Sequence, residues 1–168
     1  ANVLNEYAIT AMHAAVDAGA VVLLEFPEHL DATKRDMPAS LWTVPRMREL
    51  EAKGAKRRAM SQDEWASVRY LKPTGLITNA PKLLEDRRLY LGWPIIDAAG
   101  RYKGPLPWKA NHYLGLIGRK EDGTFLTDDT AAYPPSMCMS LAGEMFHSWF
   151  QQLGAVAEAP VVGAVLEA

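Results

Sequence analysis

Leu4, Tyr7, Ala8, Ala11, Met12, Ala15 and Val16 recur at steps of three and four, which places them on one face of a helix. Gly19 follows as a C-terminal stop. The next run, Ala20 to Phe26, is apolar except for Glu25, and Pro27 closes it. An apolar run without alternation predicts a strand buried on both faces, as in a sheet covered by helices. Proline ends such a run because it cannot donate to a central ladder. A helix followed by a buried strand points to an α/β fold.

Residues 28–44 read as irregular. Pro45 suits a first helical turn, and Met47 and Leu50 continue a short helix that stops at Gly54. Ser61 and Glu64 have capping-box spacing, which predicts a second short helix. Val68 to Leu71 and Gly75 to Thr78 read as extended around Lys72-Pro73-Thr74, and Asn79 is placed to cap a helix through Leu83 and Leu84. From Gly92 to Pro107 the chain is rich in Gly, Pro and aromatics, which predicts a long ordered loop containing a hairpin. Tyr113 to Gly118 and Thr124 to Thr127 read as paired strands around a Glu121-Asp122-Gly123 turn. The clearest helix runs from Pro135 to about Leu153, with Met137, Leu141, Met145, Phe146, Trp149 and Phe150 on one side and Gly154 as its stop. These elements form one α/β domain over residues 1–154. The Ala/Val/Gly/Glu composition of residues 155–168 predicts a loosely held tail.

Composition narrows the class. The chain has 168 residues, 49% hydrophobic and 23% charged, enough apolar material for a core and too much for a wholly disordered protein. A single cysteine, Cys138, excludes a disulfide-stapled scaffold. Flanked by Met137 and Met139 in apolar register, it reads as a buried, inert thiol in a reducing compartment. The longest apolar stretch, Ala18 to Leu24, is far short of the ~20 residues that span a bilayer, so no membrane role is expected. The opening residues have no signal-peptide pattern, and a start at Ala rather than Met suggests a processed or excised product. A net charge of -2 argues against a broadly basic nucleic-acid coat and leaves only a local basic patch.

Candidate chemistry is sparse. His13, His29, His112 and His147 show no ligand spacing with one another or with Cys138, so no metal site is expected. Neither a GxSxG nucleophile elbow nor a phosphate-binding glycine motif occurs. Glu25 stands out because a carboxylate at the end of a buried strand is costly unless it is paired. The carboxyl ends of strands are also where open α/β sheets bind ligands. Its structural alternative is a partner such as Arg69. The cluster Lys53, Lys56, Arg57 and Arg58 reads first as a solvated surface, and second as phosphate contacts.

Several spaced motifs form a recognisable set. They are Leu23-Leu24-Glu25-Phe26-Pro27, Pro38-Ala39-Ser40-Leu41-Trp42 with Pro45, Lys72-Pro73-Thr74, Gly92-Trp93-Pro94, Gly104-Pro105-Leu106-Pro107, His112, Leu116-Ile117-Gly118, and Ala131-Ala132-Tyr133-Pro134 with Cys138 and Leu141-Ala142. This order resembles sequences associated with viral and mobile elements. Those look like the later half of phage-type cytosine-5 DNA methyltransferases. The resemblance covers roughly residues 18–145 and implies a partial Rossmann-like, methyltransferase-like mixed sheet with flanking helices. It implies that Glu25 matches the strand-end glutamate that contacts a flipped cytosine. Lys72 and Thr74 match the downstream Lys-x-Thr strand. Phe26 stands where the family has Asn, and the Pro-Cys nucleophile and the glycine-rich S-adenosylmethionine turn are missing. The chain alone is therefore expected to bind no cofactor and to transfer no methyl group. S-adenosylmethionine would enter only with an upstream half.

Two principal functions follow. The first is a methyltransferase-like module that contacts DNA or RNA through Glu25, Lys56, Arg57, Arg58, Lys72 and Thr74. The second is a non-catalytic structural or protein-interaction subunit that docks through Trp93 and Trp108, since Trp, Tyr and Arg dominate interface hot spots. A third, a small-molecule enzyme, has only Glu25, Asp97 and His112 as acid–base groups.

Overall fold

Helix α1 (Asn2–Asp17) buries Ile9 and Met12, while Leu4 and Tyr7, expected on the same face, point to solvent. The computed structural model describes residues 2–29, 40–65, 72–107, 121–124 and 133–157. Strand β1 (Leu23–Pro27) follows α1, and a short 3-10 turn (Leu41–Thr43) leads into α2 (Pro45–Ala52). Strand β2 (Lys56–Ser61) ends in a second 3-10 turn (Gln62–Glu64), and β3 (Pro73–Thr78) runs into α3 (Pro81–Glu85). Strand β4 (Tyr90–Leu91) precedes a hairpin of β5 (Ile95–Ile96) and β6 (Tyr102–Gly104), and α4 spans Pro135–Ala157. The expected hairpin between Gly92 and Pro107 is thus present. Of the expected pair over 113–127 only residues 121–124 are described, and Glu121-Asp122-Gly123 form a turn there as expected; the extended segment 68–71 and residues 158–168 lie outside the described residues.

The four-stranded sheet has the order β1-β3-β2-β4. The α/β class expected from sequence holds. The Rossmann-like arrangement is not confirmed: β1 with β3, β3 with β2 and β2 with β4 all pair antiparallel. Among the described residues strand β1 lies at the sheet edge rather than in its middle, where Pro27 can close it without breaking a central ladder.

Alternation along the strands divides the interior in two. Leu24, Phe26 and Ile77 face α1, α2 and the first 3-10 turn, packing with Ile9, Trp42, Met47 and Leu50. Leu23, Met60 and Leu76 face α3 and α4, packing with Leu83, Met137 and Leu141. Each fully buried aliphatic side chain contributes about 1.5–3 kcal/mol. Trp42 reaches β3 because position 75 is glycine. A Cβ there would lie 2.6 Å from the indole and 2.7 Å from Arg57 Nη2, which is closer than atoms can pack.

Local capping differs from the sequence expectation in two places. Ser61 donates to Asp63 instead of capping a backbone amide, and only a 3-10 turn forms there. Asn79 does not cap α3, whose N-cap is Ala80. Its amide instead accepts from Val22 N (2.8 Å) and donates to Ala20 O (2.9 Å), which fixes the entry to β1.

Candidate functional site

Strand β1 carries Glu25 opposite Leu76 of β3, and Pro27 opposite Thr74, so Glu25 and Thr74 leave the sheet on one face. Glu25 is half-buried. Tyr133, just before α4, donates its hydroxyl to Glu25 Oε2, and Lys72 Nζ lies 4.8 Å from the centre of the Tyr133 ring. Burial pushes the Tyr133 hydroxyl pKa well above the usual tyrosine range, and the hydrogen bond to Glu25 pushes it further. Thr74 is buried; it donates to Lys72 O (3.2 Å) and accepts from Gln62 Nε2 (3.4 Å). Gln62 is fully buried and its Oε1 has no partner. The structure therefore brings Glu25, Lys72 and Thr74 into one neighbourhood and adds Tyr133. A carboxylate held this way can accept a further hydrogen bond from an amino group. Arg69, the arginine considered as a partner for Glu25, lies outside the described residues.

The basic cluster does not form a patch. Lys56, Arg57 and Arg58 are consecutive on β2, so their side chains alternate between the two faces of the sheet. Lys56 is exposed. Arg58 is half-buried and donates to Leu84 O (2.6 Å), satisfying a carbonyl at the end of α3. Arg57, expected as a phosphate contact, is 0% exposed and occupied. It donates to Glu28 Oε2 and to Gly92 O (2.6 Å), and its guanidinium lies 4.9 Å from the Trp42 ring. Tyr102 donates to Glu28 Oε1 (3.1 Å) and accepts from Leu106 N (3.0 Å). This network ties the end of β1 and strand β2 to the β5–β6 hairpin. Burial raises the Glu28 pKa and lowers that of Arg57 against their mutual attraction, so desolvation works against the charged form of each.

Of the tryptophans expected in the docking loop, only Trp93 is among the described residues. Trp93 is half-buried against the first core, edge-on to Trp42 with ring centres 6.2 Å apart, and Arg48 lies 4.4 Å above it. Its Nε1 is buried. These are the contacts of a loop anchor rather than of an open docking residue. Trp108 and His112 lie outside the described residues. Asp97 holds a turn, accepting from the backbone amides of Ala99 and Arg101 (both 2.9 Å) and pairing with the Arg101 side chain. The Arg101 amide bond is the largest cause of its lowered pKa.

Helix α4 presents what the sequence reading missed. Met137, Leu141 and Met145 pack inward as expected. Phe146, Trp149, Phe150 and Leu153 instead face outward, 59%, 46%, 53% and 47% exposed, with Met139 beyond them. The three aromatic rings pack edge-on against one another, Phe146 and Phe150 at 4.6 Å and Trp149 and Phe150 at 5.2 Å between centres. Cys138 is exposed, not buried, because it falls on the solvent side next to Met137. Gly154 does not stop the helix, which continues to Ala157. One signal for a second apolar face was present in the sequence: across Pro135–Ala157 the only charged side chain is Glu144. A helix with an apolar stripe on each side and so little charge cannot leave one side to water without cost. Among the described residues, no three His, Cys, Asp or Glu side chains gather as a metal site, and no helix is long and apolar enough to cross a membrane. No family model, curated protein or solved structure matches the chain.

Proposed function

We propose that this chain is a protein-interaction module, non-catalytic by itself, that presents the outward face of α4 to a partner. The clustered, exposed aromatics Phe146, Trp149 and Phe150 carry this reading. A contiguous apolar patch of this kind marks a binding surface, and rigid aromatics are the side chains that dominate interface energetics. A membrane surface is a poorer fit. Helices that lie on lipid carry Lys and Arg on their polar face, and α4 has neither.

The test replaces Trp149 with a photo-crosslinking amino acid, with exposed Lys82 as the control position. A protein adduct is expected at 149 and not at 82. Glu in place of Phe150 should reduce it at least about tenfold, the loss expected at a hot spot. Equal background at both positions would remove the reading.

A second reading is a methyltransferase-like module contacting DNA or RNA. It is supported by Glu25 and Lys72 lying together on one side of β1 and β3; Thr74, expected as a contact, is fully buried and its hydroxyl holds Lys72 O and Gln62 instead. Its Rossmann-like core and its S-adenosylmethionine site would have to come from an upstream half. Oligonucleotide binding should then weaken linearly with log salt, and Lys72→Ala should reduce the slope by about one. Absence of binding at low salt would eliminate it.

A further inference from the structure

We infer that the partner of α4 is a second copy of this chain, bound through an antiparallel two-fold pairing of the two α4 helices. The inference rests on the interaction reading above and adds the identity and register of the partner.

The spacing of the outward residues argues that the partner is a helix. Met139, Gly143, Phe146, Phe150 and Leu153 follow one another at steps of four, three, four and three. That 3.5-residue period is the seam of a helix pair, in which each side chain inserts between residues of the facing helix. The opposite face, with Met137, Leu141 and Ser148, is buried against the domain. Gly143 belongs to the open side, because a Cβ built there meets nothing within 4 Å.

The order of large and small residues argues that the facing helix is this one. Four of the five positions mirror one another about Ser148: Phe146 and Phe150 lie two residues from it, and Gly143 and Leu153 lie five residues from it. An antiparallel copy centred there sets Phe146 level with Phe150 of the other chain, and Gly143 level with Leu153. Aromatic meets aromatic, and a bulky leucine meets the glycine that leaves room for it. The same register sets Glu144 level with Gln152, so the two copies of the helix's only charged side chain do not face each other. A two-fold interface uses one patch twice and must be self-complementary in this way.

The area is sufficient. The seam side chains Met139, Phe146, Phe150 and Leu153, with Trp149 at their flank, are 46–77% exposed and offer on the order of 500 Å² of apolar surface per copy, taking about 200 Å² for a large side chain. The pair would bury about 1,000 Å² from these residues, which reaches the threshold for a specific interface.

Sedimentation and light scattering of the purified full chain test the inference. Twice the monomer mass is expected at concentrations up to about 100 µM, the range in which association by mass action is visible. Phe150→Glu should yield a monomer. Gly143→Leu should weaken the dimer at least about tenfold, while leaving each monomer folded, because open space surrounds that position. Adding Leu153→Ala to Gly143→Leu should restore much of the loss. This arm keeps the test decisive if Phe150→Glu fails to fold. A wild-type chain that stays monomeric at the highest concentration overturns self-pairing. So does a Gly143→Leu variant that dimerises like the wild type, since it removes the register. If the purified chain is monomeric while the probe at Trp149 still captures a different protein in cells, self-pairing falls and the interaction reading stands. If neither adduct nor dimer forms, both fall.

Discussion

Glu28→Ala is expected to lower the unfolding free energy by about 3–5 kcal/mol, because it leaves the Arg57 guanidinium buried without its carboxylate. Arginine cannot give up its proton to escape that cost. The reciprocal change, Arg57→Met, should cost less at acid pH. There the remaining Glu28 can protonate and keep its Tyr102 partner. The sign of the pH dependence follows from the direction of the shift. Burial already raises the folded Glu28 pKa above its unfolded value, and loss of Arg57 raises it further. Such a group contributes fully below the ordinary carboxylate range, and its contribution is lost as pH rises through the folded pKa. Arg57→Met should therefore be progressively destabilised from acid to alkaline pH, with a steeper fall than wild type. Arg57→Met combined with Glu28→Leu should flatten that slope and recover part of the stability, since apolar replacement of a buried pair is often neutral or better. Thermal melts across pH 5 to 8 read all of these. A single variant, Glu28→Ala, that melts like wild type would show that the pair is not closed in solution.

Trp42→Ala should cost about 3–5 kcal/mol, the range for deleting a buried aromatic. Trp42 is 2% exposed and contacts more than one layer. Phe26 and Trp93 meet its ring edge-on, its Nε1 donates to Pro27 O (2.9 Å), and Gly75 lies beneath it. Deletion leaves a cavity, an unpaired carbonyl at the end of β1 and an uncovered face on Arg57. Trp42→Phe should lose less, chiefly the hydrogen bond and part of the volume. Domains of this size are stable by about 5–15 kcal/mol, so Trp42→Ala removes a large share. Urea titration would show it as a lower midpoint with an unchanged slope. A midpoint shift equal to that of Trp42→Phe would refute the account of the cavity.

These two expectations concern one side of the sheet, and the functional readings concern the other. The face with Trp42, Arg57 and Trp93 is closed and holds the hairpin in place. The opposite face carries Glu25 with Tyr133 and Lys72, and beside it α4 with its outward aromatics. Two residues that looked alike in sequence, Arg57 and Lys56, are separated by this division. A strand turns its side chain over at each step, so adjacent charges on β2 have opposite fates: one is buried and paired, and one is in water.

The amino-acid order alone placed the local elements: α1, α2 from Pro45, the extended runs at 20–26 and 75–78, the hairpin after Gly92, and α4. Each depends on periodicity and turn residues within a few positions of one another. The antiparallel order of the sheet, the burial of Arg57, and the outward turn of Phe146, Trp149 and Phe150 arise instead from long-range packing. Glu28 and Arg57 are 29 positions apart, and Glu25 and Tyr133 are 108 apart. No local pattern announces such partners, because a charge is compensated by whatever the fold brings beside it. For α4 the chain encoded two apolar stripes, and periodicity alone could not say which one the domain would cover. The domain core took the stripe of Met137, Leu141 and Met145, leaving the aromatic stripe exposed.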